Sequence, residues 1–143
     1  MHSGMSVQTD TKKHADEQAT RQFAIEAARL AANTRCHNVV LLDARGISPV
    51  TDYLVLATGT SPRQMKTVCD DLEEWAGERG VRAFNSREAA TESESWMLID
   101  FVDVVVHVFN TESRSFYDLD SLWGDAKRVE WNEQPAPQSH PSR

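Results

Sequence analysis

The sequence predicts a single α/β domain. It holds 143 residues, enough for one hydrophobic core of ordinary size with tails to spare. Two stretches carry apolar residues at helical spacing, the first near residues 16–35 and the second near residues 62–76. Between and after them lie short runs dense in Val, Leu, Ile and aromatic residues, the composition of strands. The longest of these, residues 96–109 (WMLIDFVDVVVHVF), is the run around which the rest is organised.

Residues 1–14 are polar and aperiodic, which predicts a disordered tail. From about Asp16 the chain turns alanine-rich, with Phe23, Ala24, Ala27, Ala28 and Ala31 on one helical stripe. Asn33, Thr34, His37 and Asn38 supply turn chemistry ahead of a buried strand at residues 39–43. Gly46 and Pro49 punctuate the connection to a second strand at residues 53–58. Ser61 followed by Pro62 is a helix start, because Ser accepts from an orphan amide and Pro has no amide to leave unpaired. The helix it opens gathers Met65, Val68, Cys69, Leu72, Trp75 and Ala76 on one side, and Gly80 ends it. Residues 81–84 predict another short strand, and the acidic residues 85–95 an exposed connection.

Residues 96–109 predict a hairpin with a tight connection near Val102-Asp103. With a two-residue turn, Trp96 faces Phe109, Leu98 faces His107 and Asp100 faces Val105. Met97, Ile99, Phe101, Val104, Val106 and Val108 then share the other, wholly apolar face, which suits a core. The mixed face suits a surface that is wet alone and covered when bound. After the hairpin, Thr111 is a candidate cap for a helix carrying Phe116, Leu119 and Leu122, which residues 123–126 would end. Residues 132–143 contain three prolines and no core pattern, predicting a second disordered tail.

A formal charge of -7 and a pI near 5.2 disfavour a protein that grips nucleic acid through a broad basic surface. Cys36 and Cys69 stand far apart, outside any metal-ligand spacing, and no secretory leader is visible, so a reduced, cytoplasmic setting is expected. No apolar run approaches the ~20 residues of a membrane helix.

Several motifs together resemble the ribosomal silencing factor family, also called Iojap-like proteins. They are Val40-Leu41-Leu42-Asp43-Ala44-Arg45-Gly46, Thr51-Asp52-Tyr53-Leu54-Val55, Gly59-Thr60-Ser61-Pro62-Arg63-Gln64, residues 96–109, and Tyr117-Asp118-Leu119-Asp120-Ser121-Leu122-Trp123. The resemblance runs from about Ala24 to Trp123 and implies one domain over residues 15–131. Its expected architecture is a mixed β-sheet flanked by helices, nucleotidyltransferase-like in shape but without catalytic residues. It also implies docking on the large ribosomal subunit through that subunit's fourteenth ribosomal protein. Joining of the small subunit would then be blocked sterically and translation repressed when nutrients are scarce. Carried over by motif, the contact surface is Trp96, His107, Phe109 and Tyr117, with Asp100, Asp103, Leu122 and Trp123 around them. Neither metal nor cofactor is expected, and no nucleic-acid binding beyond incidental rRNA contact. An exposed aromatic patch also suits a homodimer. One departure stands out: Phe101-Val102 occupies the turn where the family commonly carries Tyr-Gly, and β-branched Val resists the positive φ that Gly accepts.

Two rival functions are open to the residues. Asp43, Asp100 and Asp103, with Gly59-Thr60-Ser61 at a helix start, raise a magnesium-dependent nucleotidyltransferase. Its spacing fails, because two carboxylates one residue apart on a strand are wanted, whereas Asp70-Asp71 are adjacent on a helix and Asp100 and Asp103 straddle a turn. The other rival is a homodimeric adaptor without ribosomal contact. Trp96 is either an edge or core aromatic or an interface anchor, and its pairing with Phe109 and His107 favours the anchor. His107 lacks a second His or Cys at ligand spacing and reads as a strand residue with a bonded ring. If His107 worked across an interface, binding would depend on pH near neutrality.

Overall fold

The computed structural model describes the backbone of residues 2–88 and 95–132 and the side chains of residues 16–84 and 95–132. In chain order the elements are α1 (His2–Asn33), β1 (His37–Asp43), β2 (Tyr53–Thr58), α2 (Pro62–Glu78), β3 (Asn85–Glu88), β4 (Trp96–Asp100), β5 (Val104–Phe109), α3 (Thr111–Tyr117), α4 (Leu119–Leu122) and β6 (Lys127–Arg128). The strands form one six-stranded sheet in the order β3-β4-β5-β2-β1-β6. β2 and β5 run parallel, Tyr53 opposite Val104 through Thr58 opposite Phe109, and every other pair is antiparallel. The sheet is therefore mixed, and α2 with β3 and β4 supplies the long crossover that a parallel pair demands.

Alternation along the strands gives the sheet two unlike faces. One packs beneath α1 and α2 and contributes Leu41, Tyr53, Val55, Ala57, Met97, Ile99, Val104, Val106 and Val108 to the main core. From α1 come Ala24, Ala27, Ala28 and Ala31, all fully buried, and from α2 come Met65, Val68, Cys69, Leu72 and Ala76. Phe23 joins the helices to the hairpin, 4.6 Å from the Trp75 ring and 5.3 Å from Phe101. Truncating a fully buried residue such as Ile99 to Ala would cost about 2–5 kcal/mol. Gly59 permits this packing, since a Cβ there would lie 2.1 Å from Cγ of Met65.

The start of α2 is as the sequence indicates: Ser61 Oγ accepts from the Gln64 amide at 3.0 Å, and Pro62 opens the first turn. Gly80, at φ +78°, closes the helix, with its amide bonded to Gly77 O and that of Val81 to Ala76 O. That last bond displaces the next strand. Val81 is still tied to the helix end, so pairing begins later than residues 81–84: Phe84 N reaches Asp100 O, and β3 then pairs from Asn85 opposite Asp100 to Glu88 opposite Met97. The acidic connection is thus partly an edge strand, and its residues 89–94 lie outside the described ones.

The hairpin has the predicted register, Trp96 opposite Phe109, Leu98 opposite His107 and Asp100 opposite Val105. Its two-residue turn survives the missing glycine by placing Val102 at φ 74°. The Asp103 amide donates to Phe101 O at 2.9 Å across Val102, a γ-turn of the strained hand. Asp100 Oδ1 accepts from Val102 N at 2.7 Å, and Asp103 O accepts from the amides of Asp52 and Tyr53, so both flanks of the turn are pinned.

Three further differences stand out. The helix expected from about Asp16 begins at His2, over the segment predicted as a tail, because no proline interrupts residues 2–16 and a helix anchored by packing propagates cheaply at its end. Asn110, not Thr111, caps α3, its Oδ1 accepting from Ser113 N at 2.8 Å. After α4 the chain returns as β6 beside β1. Val129 N then bonds Leu41 O, Trp131 Nε1 bonds Val39 O at 3.0 Å, and Arg29 Nε bonds Trp131 O at 2.8 Å. Of the expected C-terminal tail, residues 133–143 lie outside the described ones.

Candidate docking surface

The second sheet face is covered only in part. Val40, Leu42, Ala44, Leu54, Leu56 and Phe109 form a smaller core roofed by Leu119 of α4, with Trp96, Val105, Trp123 and Ala126 half-buried at its margin. The roof is thin because α3 and α4 are short and separated at Asp118, whose left-handed backbone (φ 52°) turns the chain between them. No side chain of α3 is buried. Phe116 and Tyr117 are adjacent, about 100° apart around a helix, so they cannot share one inward stripe. Phe116 is 80% exposed, Tyr117 46% and, on α4, Leu122 69%.

Of these, Tyr117 sits against Trp96 and Phe116 against Tyr117, the latter pair with ring centres 4.9 Å apart. The Trp96 indole lies 4.6 Å from the Tyr117 ring, 5.8 Å from His107 and 6.0 Å from Phe109. Trp96 Nε1 donates to His107 Nδ1 at 3.1 Å. That bond requires Nδ1 to be unprotonated, so the neutral ring carries its hydrogen on Nε2. Burial pushes the His107 pKa down to about 4.

Arg114 fastens α3 to this face. Its Nε and Nη2 pair with Asp120 at 3.0 and 2.9 Å, while Nη1 donates to Asn38 O at 2.6 Å and Thr58 Oγ1 at 2.9 Å. The guanidinium also lies 5.6 Å from the centre of the Phe109 ring, and the side chain is 12% exposed. The Arg114 bonds hold the Asp120 carboxyl below its ordinary pKa.

Of the carboxylates raised as catalytic candidates, Asp103 and Asp43 both lie near enough to Asp52 to add to the burial that raises its pKa. Asp43 forms a two-point pair with Arg45 at 2.9 and 2.7 Å, which lowers its pKa. Among the described residues no group of three or more His, Cys, Asp or Glu is placed to hold a metal ion, and no helix is long and apolar enough to cross a membrane.

The sequence profile described as "Ribosomal silencing factor during starvation" matches residues 17–143. The chain belongs to the ribosomal silencing factor family. A ribosomal silencing factor from Halalkalibacterium halodurans is 38% identical over 109 residues, covering 73% of this chain and 92% of that one. The Bacillus subtilis ribosomal silencing factor is 36% identical over 100 residues, 70% of this chain and 83% of the other. A crystal structure of a Chromobacterium violaceum protein superposes with a TM-score of 0.65 at 30% identity, over 83% of this chain and 94% of that one.

For a silencing factor of this sequence, the residues named from the motifs divide three ways. Trp96 and Tyr117 lie against each other, Trp123 packs with Trp96 at the margin of the same smaller core, and Leu122, next to Trp123 in sequence, is exposed. His107 lies beside Trp96, and its Nδ1 and the indole N–H of Trp96 are spent on each other, so that N–H is not offered to a partner. Phe109 is 0% exposed and cannot touch a partner; it is the floor under Trp96 and Arg114, because its strand position points beneath α4. Asp100 and Asp103 lie at the far end of the hairpin, about 14 Å along the strands from Trp96. Asp100 serves the turn there, and the expected single cluster does not include either. The sequence groups Phe116 with Leu119 and Leu122 on one helix and gives Arg114 no role. The signal for the first was the Phe116-Tyr117 adjacency; for the second, Asp120 six residues on is the one nearby partner, while Asn38 and Thr58 are distant in sequence.

Proposed function

We propose that this chain is a translational repressor that docks on the large ribosomal subunit, through that subunit's fourteenth ribosomal protein, and keeps the small subunit from joining. The observation that supports this reading is the aromatic patch on the thinly roofed sheet face. Tyr117 projects from it against Trp96, with Phe116 beside Tyr117, and Trp96 and Trp123 pack at the margin of the smaller core beneath. A compact group of aromatic anchors on a rigid support is the kind of surface that concentrates binding energy. Membership of the silencing-factor family supports the ribosome as the setting, and a cytoplasmic location and a non-enzymatic role are consistent with it. The domain responsible spans residues 15–131, and the same patch on two copies would form a homodimer that competes with docking. A net charge of -7 keeps the protein off rRNA and speeds approach to a basic protein.

The test is a subunit-joining assay on sucrose gradients. Native protein at saturation should leave the subunits apart, and Trp96→Ala should restore joining by weakening docking by roughly 2 kcal/mol or more. Joining that proceeds normally in the presence of saturating native protein would refute the proposal.

A further inference from the structure

We infer that Arg114 is the positioning residue of the docking surface: its guanidinium holds α3 on the sheet and so fixes where Phe116 and Tyr117 stand. This rests on the docking role proposed above. α3 has seven residues and buries none of them, so packing alone gives it little to hold on to. α3 is also attached by its cap, by a 2.9 Å bond between the hydroxyls of Ser113 and Ser95, and by the contact of Tyr117 with Trp96. Arg114 supplies four charge-assisted hydrogen bonds to three separate places: Asp120 on α4, the Asn38 carbonyl in β1 and the Thr58 hydroxyl in β2. A planar fork that spans α4 and two strands fixes direction as well as distance, which a point charge does not. Phe116 and Tyr117 follow Arg114 by two and three residues in the same helix, so their rings swing with it.

The experiment is a double-mutant cycle with hydrogen exchange alongside. Arg114→Ala should weaken binding to purified large subunits by about tenfold or more in the native background. In a Phe116→Ala/Tyr117→Ala background it should weaken binding less than about threefold, because the residues through which it acts are gone. A purely structural role predicts equal losses in the two backgrounds, and equal losses would overturn the inference. Arg114→Lys should recover little of the binding, and full recovery would show that charge rather than geometry matters, which also overturns it. Amides of residues 112–117 should exchange at least about tenfold faster in Arg114→Ala while those of β2 and β5 stay protected; unchanged exchange in α3 refutes the inference. Should Arg114→Ala fail to fold, Asp120→Asn removes one arm of the fork and should show the same changes at smaller size; their absence there counts against the inference. If native protein does not bind large subunits the docking role falls, while the exchange measurement by itself still decides whether Arg114 holds α3.

Discussion

Replacing His107 with Asn should remove a defined part of the acid sensitivity of this fold. In the native protein the imidazole accepts from Trp96 at Nδ1, and burial lowers its pKa from 6.5 to about 4. The unfolded chain takes up a proton near pH 6.5 and the folded chain does not until about pH 4. The stability tied to the neutral ring is therefore fully present above pH 6.5 and is lost as the pH falls toward 4. Roughly two and a half pH intervals at about 1.4 kcal/mol each give about 3.5 kcal/mol, and the partial solvent access of the ring lowers that toward about 2 kcal/mol. Asn keeps an acceptor for the indole and has no proton to gain. Urea unfolding of both proteins at intervals from pH 4 to 8 gives the difference curve. Asp43 and Asp120, whose lowered pKa values cost stability at still lower pH, are common to both proteins and cancel. Native protein should lose about 2 kcal/mol relative to the variant between pH 6.5 and 4. A difference that is flat across that window would refute the reasoning. By the same reasoning, docking should not change between pH 6.5 and 8, contrary to the dependence near neutrality expected from an unburied ring.

Val102→Gly should stabilise the protein by about 1 kcal/mol, because relief of the positive φ, worth about 1–2 kcal/mol, exceeds the added chain entropy of glycine. A rise in Tm of about 2–5 °C would be its calorimetric sign, and a fall would count against it. Tyr53→Phe should raise stability by about 1 kcal/mol, since the Tyr53 hydroxyl is buried without a hydrogen-bond partner among the described residues; a loss in urea unfolding would show that the hydroxyl is satisfied. Gly59→Ala should cost about 1–3 kcal/mol as the new methyl group displaces Met65, and an unchanged unfolding midpoint would contradict that packing. Phe116→Ala should leave Tm within about 2 °C of native, as befits a residue 80% exposed. The same change should weaken co-sedimentation with large subunits at least about tenfold, and equal affinity would remove Phe116 from the surface.

The hairpin was legible because its signal is periodic and local. Alternation from Trp96 to Phe109 fixes both faces at once, and slipping the register by one would expose Ile99 and Val106. The cap at Ser61 and the stop at Gly80 were legible for the same reason, each being decided within a few residues. What the sequence could not show were interactions between distant segments. β6 and the anchoring of Trp131 depend on β1 offering a free edge, which Lys127 and Arg128 do not advertise. Phe109 was expected in the contact surface by motif, and its place on the mixed strand face agreed with that. Whether α4 covers that end of the face is decided by Asp118 and Leu119, not by the strand. Helical spacing made Phe116 and Leu119 appear alike, yet the break at Asp118 sends only Leu119 inward.

The parallel alignment of β2 with β5 has a consequence for how the molecule is made. The two strands at the heart of the sheet are separated by about fifty residues of chain, so their union must wait on closure of a long loop. Until then β2 has a neighbour on one flank only, and Leu54, Val55 and Leu56 line an open apolar ledge. Nascent chains should be most prone to aggregate, and most dependent on holding chaperones, during that interval between the appearance of β2 and the arrival of β5.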